Sequence, residues 1–484
     1  MGARRLSIVL AGLVAVFAAV RLGGLFGDLW LDEIWSLRLV EQLNGLSEIV
    51  TRLHVDGNHP LNSAWLYLLL PAKAEWTYRV LAWTTGSAAV GLAGLVGHRQ
   101  YALLHPREPV LRARVAGWLA ALLVGGSYLL IHYSSEARGY APAAAFSLLA
   151  VYALLQAGAR RERVWLGTYW GACALGLLSH IVAAHVLLAG AVWSGVRCLQ
   201  ERSGWRACAR QVARWHLVPL TLLGIYYLVF VRQLTVGGGP ELDLVTVLGD
   251  VGAFTLGLPA ATGTGLALPL LAGMVSYGVW LLVRRGNWAL AAFYATVVFV
   301  SPATGGLLGG FDLLFPRYFI ISAVASLLLA SYVLSRLWTR GGAWRGGTLL
   351  VIALFLVGNG IHVARLVRDG RGQYRAAMRH IAQVTPSPVI TVTSDHDFRN
   401  TMVLNHHASA LGPGRRLRYV NRHEVTAGGV DWVLLHRLDG EKPPADVSSD
   451  RYENRYRLDA VFRHAALSGW DWFVYRRQGP GNGD

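Results

Sequence analysis

The feature that most constrains this chain is a succession of apolar stretches, each about as long as a helix that crosses a lipid bilayer. A spanning helix needs about 20 predominantly apolar residues, and about eleven stretches meet that rule. They lie near residues 6–25, 78–97, 115–132, 140–157, 164–179, 182–198, 216–231, 263–283, 288–308, 318–337 and 347–363. The sequence therefore predicts a polytopic α-helical membrane protein.

Composition and charge agree with this fold class. The 484 residues are 54% hydrophobic and only 15% charged, which is too apolar for an ordinary soluble protein. The net charge of +17 does not indicate nucleic-acid binding, because the arginines follow every second apolar stretch, as expected of connections that face the cytoplasm. These basic connections are residues 99–114, 160–163, 197–214, 284–285 and 336–345.

The two ends of the chain are predicted to lie on opposite sides of the cell membrane. The N-terminus, "MGARRLSIVLAGLVAVFAAV", is interpreted as an uncleaved first span that starts in the cytoplasm. An odd number of spans places the residues after 363 outside, where "YRAAMRHIAQV" has helical spacing and "PVITVT", "VDWVLLHR" and "GWDWFVYRR" are typical of strands. We expect a transmembrane domain of residues 1–363 and a small extracytoplasmic α/β domain of residues 364–484.

The connections on the outer side carry ionisable and aromatic side chains. The first connection, residues 27–77, holds Asp32 and Glu33 in "GDLWLDEIWSLRLV" and Asp56 and His59 in "HVDGNHP". Later connections contribute Glu136, Arg138 and Tyr140 in "YSSEARGY", His180 in "LLSH", and Asp312, Arg317 and Tyr318 in "FDLLFPRYF". Each alone has a structural explanation, such as an acid at a helix N-terminus or an anchoring arginine. Their recurrence on one membrane face indicates a working site.

In their order along the chain these motifs resemble the GT-C superfamily of integral membrane glycosyltransferases. The similarity is greatest to its protein-mannosyltransferase and aminoarabinose-transferase branch and to family-39-like bacterial enzymes, and it covers roughly residues 1–340. It implies that Asp32 is the catalytic aspartate, that its neighbour Glu33 has a structural or metal-supporting role, and that His59 and Pro60 form the second motif. That motif, "NHPLNSAW", lacks one proline of the family pattern and has Asn58 where relatives carry an acid.

The resemblance implies transfer of a sugar from a polyprenyl-phosphate carrier to an acceptor hydroxyl on the extracytoplasmic face, the acceptor being a lipid, a polysaccharide or a protein. A carboxylate is the natural base for the hydroxyl, and we assign this role to Asp32. Arginine binds phosphate oxygens well, and Arg138 and Arg317 are the candidates. A single displacement inverts the sugar. A divalent cation is a candidate cofactor, with possible ligands Glu33, Asp56, Glu136 and His180.

Two expectations concern the surroundings of this site. Membrane lipids would hold the apolar tail of the donor in a groove between spans. The connection "VRQLTVGGGPELDLVTVLGDVGAF", residues 231–254, is expected to be a loop that moves over this groove, because its glycines permit rearrangement.

Two other functions are compatible with a polytopic chain. A transporter or flippase of a lipid-linked or small solute would also place charged groups among spans, but near the bilayer midplane and in broken helices of matched halves. A receptor or scaffold would use the C-terminal domain and leave the acidic first connection without a role. The clustering of ionisable groups at one membrane face favours the glycosyltransferase.

Overall fold

The computed structural model describes residues 2–72, 74–202, 204–235, 237, 239, 242–300, 303, 314–438, 440–449 and 452–478. These residues form two compact units. The first consists of residues 1–25 and 40–363, and the second of residues 26–39 and 364–484. Asp312 and the end of the predicted 288–308 span lie outside the described residues.

The first unit consists of helices. They are α1 (Gly2–Leu22), the last residue of α2 (Leu31–Val40), α3 (Glu48–Thr51), α4 (Pro60–Leu69), α5 (Val80–Leu104), α6 (Val110–Gly126), α7 (Tyr128–Tyr133), α8 (Tyr140–Leu154), α9 (Glu162–Ser179), α10 (Ala184–Gln200), α11 (Trp205–Val229), α12 (Leu244–Leu256), α13 (Leu268–Arg284), α14 (Trp288–Ala295), α15 (Ile320–Arg340) and most of α16 (Ala343–Asp369). Short 3₁₀ turns at Ile181–Ala183 and Pro316–Phe319 precede α10 and α15.

Every predicted apolar stretch overlaps at least one of these helices, so the predicted helical fold class is confirmed. Within the described residues, six helices are long and apolar enough to cross a membrane, and four further apolar helices are shorter. Two details differ from expectation. The stretch 115–132 is divided at Ser127 into α6 and α7, and the expected loop 231–254 contains most of helix α12. The loop prediction was wrong for residues 244–254, because α12, at 13 residues, is shorter than the span length that guided it. Residues 236, 238, 240 and 241 of the predicted loop lie outside the described residues.

Helix α15 is the centre of the first unit. All residues from Ile320 to Ser335 are buried, because this helix is apolar on every side. Its serines satisfy their hydroxyl groups on nearby carbonyls: Ser322 Oγ donates to Val297 O at 2.9 Å, and Ser326 Oγ donates to Ser322 O at 2.8 Å. The core therefore contains polar atoms without leaving their hydrogen-bonding needs unmet.

Helices α5 and α6 approach each other through glycines. A Cβ atom at Gly117 would lie 2.7 Å from the carbonyl oxygen of Gly94, and one at Gly94 would collide with Leu10. Small residues at such crossings let membrane helices pack backbone against backbone.

The second unit contains a six-stranded sheet. Its strands are β1 (Val389–Ser394), β2 (Arg416–Tyr419), β3 (Trp432–Arg437), β4 (Asp446–Ser449), β5 (Tyr452–Phe462) and β6 (Asp471–Arg477), in the order β2-β1-β3-β6-β5-β4. The β1 strand runs parallel to both β2 and β3, and the remaining pairs are antiparallel. Helices α17 (Tyr374–Val384) and α18 (Asp397–His407) complete the unit. The predicted helix and three strands are confirmed.

Residues 26–39 belong to this second unit, although the sequence assigned them to the first outer connection of the transmembrane domain. Leu29 and Ile34 are fully buried. His407 Nε2 lies 3.0 Å from Leu29 O, and the backbone N–H of Arg375 donates to Asp28 Oδ2 at 2.8 Å. The early segment thus packs with residues that follow it by more than 300 positions. The local sequence pattern of residues 26–39 does not predict this tertiary contact.

Candidate functional site

Three aromatic rings from three separate segments meet in the first unit. The ring centroids of His59 and His180 are 4.7 Å apart, and Tyr140 lies 5.2 Å from His59 and 4.8 Å from His180. All three residues are buried. The structure therefore brings together three side chains that the sequence could place only on the same membrane face. We call His59, Tyr140 and His180 the ring cluster.

Local structure explains how the ring cluster forms. Pro60 starts α4, and His59 precedes it in an extended backbone conformation. Gly139 precedes α8 at a point where a Cβ atom would collide with the carbonyl oxygen of Ser179. Only glycine allows this approach, which carries Tyr140 to the turn that holds His180.

Hydrogen bonds fix the protonation of the two histidines. The backbone N–H of Val182 donates to His180 Nδ1 at 3.1 Å, so the ring proton of His180 is on Nε2. His59 bonds to the backbone at Ser179, and within the described residues its buried Nε2 has no hydrogen-bond partner. The neutral cluster therefore offers one N–H donor and one acceptor nitrogen.

Electrostatics keep both rings uncharged. Burial is the main cause, and the positive charge of Arg138 adds to it; together they hold the pKa of His59 well below its usual range and lower the pKa of His180 to about 3. Arg317 acts on both rings in the same direction. At neutral pH the histidines are hydrogen-bonding groups and not cations.

The two arginines lie beside the ring cluster. Arg138 is buried, its Nη1 donates to Gly57 O at 3.4 Å, and its guanidinium carbon is 6.0 Å from the Tyr140 ring. Arg317 lies 4.3 Å from the ring of Phe315 and 5.6 Å from that of Tyr318. The Tyr318 ring is 6.0 Å from His180. The site thus combines two guanidinium groups with neutral imidazoles.

Glu136 is a further ionisable residue of this region. It is fully buried, and its Oε2 lies 3.9 Å from His132 Nε2. The His132 ring contacts Tyr133 at 5.1 Å, and Tyr133 contacts Tyr140 at 5.3 Å. The buried Tyr133 hydroxyl has no hydrogen-bond partner in the described part of the chain. Sequence reasoning did not single out His132 or Tyr133, although Tyr133 begins "YSSEARGY" and His132 lies four residues before Glu136.

Asn58 and Asn62 hold the neighbouring backbone in place. Asn58 Nδ2 donates to Ile49 O at 2.7 Å and Leu53 O at 2.8 Å, and Ser63 Oγ donates to Asn58 Oδ1 at 2.7 Å. Asn62 Nδ2 donates to Ala137 O at 2.9 Å. An acid at position 58 has no N–H groups for the two carbonyls, so this departure from the family pattern has a structural reason.

The candidate metal ligands of the first unit are not gathered at one point. Asp56 is exposed and its backbone N–H donates to Thr235 O at 3.1 Å, whereas Glu136 and His180 are buried. Among the described residues, no three ligand atoms from Asp56, Glu136 and His180 lie within 4.8 Å of one another. The nearby guanidinium groups also disfavour a divalent cation.

Asp32 and Glu33 lie in the second unit. Glu33 is fully buried and its Oε2 accepts from Trp30 N at 3.3 Å. Asp32 is half-buried at the start of α2. Burial lowers the pKa of Arg399, and the negative charge of Asp32 opposes that shift. Arg399 Nη1 lies 3.2 Å from His436 Nε2 at the end of β3.

No family model and no curated protein sequence matches the chain. Solved structures do. The apo form of ArnT from Cupriavidus metallidurans is 15% identical, with 96% of this chain and 98% of that chain covered and a TM-score of 0.52. The form bound to undecaprenyl phosphate gives 15% identity, 97% coverage of both chains and a TM-score of 0.52.

An Archaeoglobus fulgidus oligosaccharyltransferase, solved with Zn and sulfate, is 11% identical over 88% of this chain and 68% of its own, with a TM-score of 0.47. The ArnT similarity extends over nearly the full length of both proteins, including the C-terminal sheet. It confirms the fold that the motifs indicated. This chain therefore has the fold of ArnT from Cupriavidus metallidurans.

Proposed function

We propose that the protein is a glycosyltransferase that moves a sugar from a polyprenyl-phosphate donor to an acceptor hydroxyl on the extracytoplasmic face of the membrane. One observation carries the proposal. Arg138 and Arg317 lie at the ring cluster, although their segments are far apart in sequence. One guanidinium group can donate hydrogen bonds to two phosphate oxygens at once, and burial strengthens these hydrogen bonds.

The fold supports a lipid-linked donor. The similar ArnT from Cupriavidus metallidurans was solved with undecaprenyl phosphate. A carrier of this kind keeps its isoprenoid tail in the bilayer, so its phosphate reaches water only at the membrane surface. A site at the ends of apolar helices suits such a substrate.

The proposed reaction is a single displacement. The acceptor hydroxyl gives its proton to the Asp32 carboxylate as its oxygen attacks the anomeric carbon. The bond from that carbon to the phosphate oxygen breaks, and polyprenyl phosphate leaves with the electron pair. Arg138 and Arg317 stabilise the charge that develops on the phosphate. Attack opposite the leaving group inverts the anomeric centre.

The neutral histidines fit sugar recognition within this scheme. A sugar hydroxyl both donates and accepts hydrogen bonds. His59 Nε2 can accept one bond, and the Nε2–H group of His180 can donate another. Two positively charged imidazoles would offer donors alone. We assign His59, Tyr140, His180 and Tyr318 to the donor sugar and phosphate.

The experiment compares purified wild-type protein with Asp32→Asn on a panel of polyprenyl-phosphate sugars. Loss of the base should lower the rate of sugar transfer or release by about 10²- to 10⁴-fold. Binding of the donor should change little, because the asparagine keeps the size of the side chain. Arg317→Lys should instead weaken binding of polyprenyl phosphate, since lysine keeps the charge but loses the planar fork.

Two variants of the first outer connection serve as controls. Glu48 and Arg52 form a largely exposed ion pair at 3.3 Å, and Glu48→Gln and Arg52→Lys should both retain wild-type transfer. Undiminished transfer by Asp32→Asn would remove the proposed base. Movement of the lipid across vesicle membranes, equal in wild type and Asp32→Asn and without sugar transfer, would favour a flippase.

A further inference from the structure

A groove lined by arginines lies at the opposite ends of the spanning helices from the ring cluster motifs. Arg284 ends α13 and Arg285 follows it, and Arg340 ends α15. Together with Tyr277, Trp280 and Leu281 they line a groove of about 520 Å³. A narrower cleft of about 40 Å³ continues inward to Tyr332 and Arg336. We call the two spaces together the arginine groove.

One of its arginines is already neutralised. Arg336 Nη1 donates to Glu108 Oε1 at 2.7 Å, and Tyr101 Oη and Arg112 Nη1 donate to Glu108 Oε2 at 2.6 and 3.2 Å. Partial burial raises the pKa of Glu108, but these hydrogen bonds outweigh it and lower the pKa to about 2. Glu108 is therefore ionised and fully engaged with Arg336 and Arg112.

The other three arginines keep their charge. In the described ranges, no carboxylate lies within ion-pair distance of Arg284, Arg285 or Arg340, and all three are exposed. Arg284 lies 4.9 Å from the Trp280 ring and Arg340 lies 5.1 Å from the Trp344 ring. These contacts orient the guanidinium groups without neutralising them. Three positive charges thus surround one concave space.

The wall of the groove is aromatic and apolar. Tyr277 is 40% exposed and Trp280 is 47% exposed, and their rings stack at a centroid distance of 5.6 Å. Both belong to a candidate spanning helix of which only 28% is buried within the protein. Tyrosine and tryptophan prefer the layer where lipid headgroups meet acyl chains. A free inorganic anion would gain nothing from this wall, whereas a lipid would.

We propose that the arginine groove binds the phosphate headgroup of an anionic membrane phospholipid, with the acyl chains along the exposed face of α13. Basic pockets between membrane helices on the cytoplasmic side recognise such headgroups, and the arginine-rich connections are expected on that side. The site is separate from the ring cluster, and the inference does not depend on the proposed reaction.

The test measures the thermal unfolding midpoint of the full-length protein in detergent during titration with phosphatidylglycerol. Wild-type protein should be stabilised at low lipid concentration, and phosphatidylcholine should act much more weakly. The double variant Arg285→Gln/Arg340→Gln should need about tenfold or more phosphatidylglycerol for the same shift. A matched control is Arg206→Gln/Arg210→Gln. Its arginines are exposed at the same expected face, and Arg206 lies 5.4 Å from Trp205, yet neither lines the groove.

A third variant guards against misfolding of the charge variants. Leu281→Trp fills the groove without changing charge, and it should weaken the lipid response while Arg285→Lys largely preserves it. The proposal is overturned if phosphatidylcholine stabilises as strongly as phosphatidylglycerol, or if the control pair loses the response as much as the groove pair. Equal stabilisation by inorganic phosphate alone would identify a free-anion site and would also overturn it.

Discussion

Uncharged histidines next to guanidinium groups set the chemical character of the candidate site. Charged imidazoles would compete with the arginines for the same anion and would repel them. Burial and the charges of Arg138 and Arg317 remove that competition by holding His59 and His180 neutral. Positive charge is thereby left to the two groups whose geometry suits a phosphate.

Asn58 provides a test of how this site is supported. Its two amide N–H groups satisfy Ile49 O and Leu53 O, and Asn58→Asp would place a carboxylate against both oxygens. We expect a loss of about 2–3 kcal/mol of stability, measured as a lower unfolding midpoint in detergent. Gln42→Glu makes the same change of an amide to an acid at an exposed position of this connection and should leave the midpoint nearly unchanged. An equal effect of both would contradict the assigned role.

The sequence predicted which residue types form the site better than it predicted which of these residues are in contact. Glu136, Arg138 and Tyr140 share one motif, so their proximity follows from the chain itself. The approach of His59 to His180 depends on Gly139, whose role is visible only when the facing carbonyl of Ser179 is known. Asp32 was assigned from its motif, and nothing in that motif revealed that its segment belongs to one compact unit with residues 364–484.

At the scale of secondary-structure elements, glycine contacts determine how closely helices α5 and α6 pack. The α5 and α6 helices pack tightly where Gly94 and Gly117 face each other. Hydrophobic attraction does not hold helices together inside lipid, so close van der Waals packing has to do so.

Gly117→Leu should disrupt this crossing. Its side chain would meet the Gly94 carbonyl and His98, and overpacking of this kind costs about 1–3 kcal/mol or more. The expected result is a lower yield of monodisperse protein in size-exclusion chromatography and a lower unfolding midpoint. Gly171→Leu, in α9, is the matched control, because within 4 Å of a Cβ at Gly171 the described residues place no atom. Tolerance of Gly117→Leu would argue against the glycine contact.

Hydropathy was sufficient to locate the long helices, because about 20 apolar residues in a row are hard to explain otherwise. It failed for α12, whose 13 residues are too few for that criterion. It also missed β4 and β5, where strand pairing and not the apolar pattern of the segments defines the structure.

On the scale of the whole molecule, the basic connections predict which side of the membrane each part occupies. Cys208 offers a natural reporter, since it is partly exposed whereas Cys173 and Cys198 are buried, and it lies in the arginine-rich connection 197–214. A membrane-impermeant maleimide should therefore label Cys208 in right-side-out vesicles only after permeabilisation.

A second reporter completes this topology experiment. Ala427→Cys, in a Cys208→Ser background, introduces an exposed thiol in the second unit and should be labelled without permeabilisation. Labelling of both positions from the same side would contradict the predicted orientation. Full labelling of both after permeabilisation would show that each thiol is reactive.

The path of the chain also bears on biosynthesis. Residues 26–39 leave the ribosome long before residues 364–484, with which they pack. At about 5–20 residues per second, the early segment waits roughly 15–65 seconds for those neighbours. During that interval Leu29 O lacks its contact with His407, and Asp28 lacks its contact with Arg375. A fragment starting at residue 364 would lack this segment permanently, so the C-terminal sheet is best produced together with the N-terminal stretch.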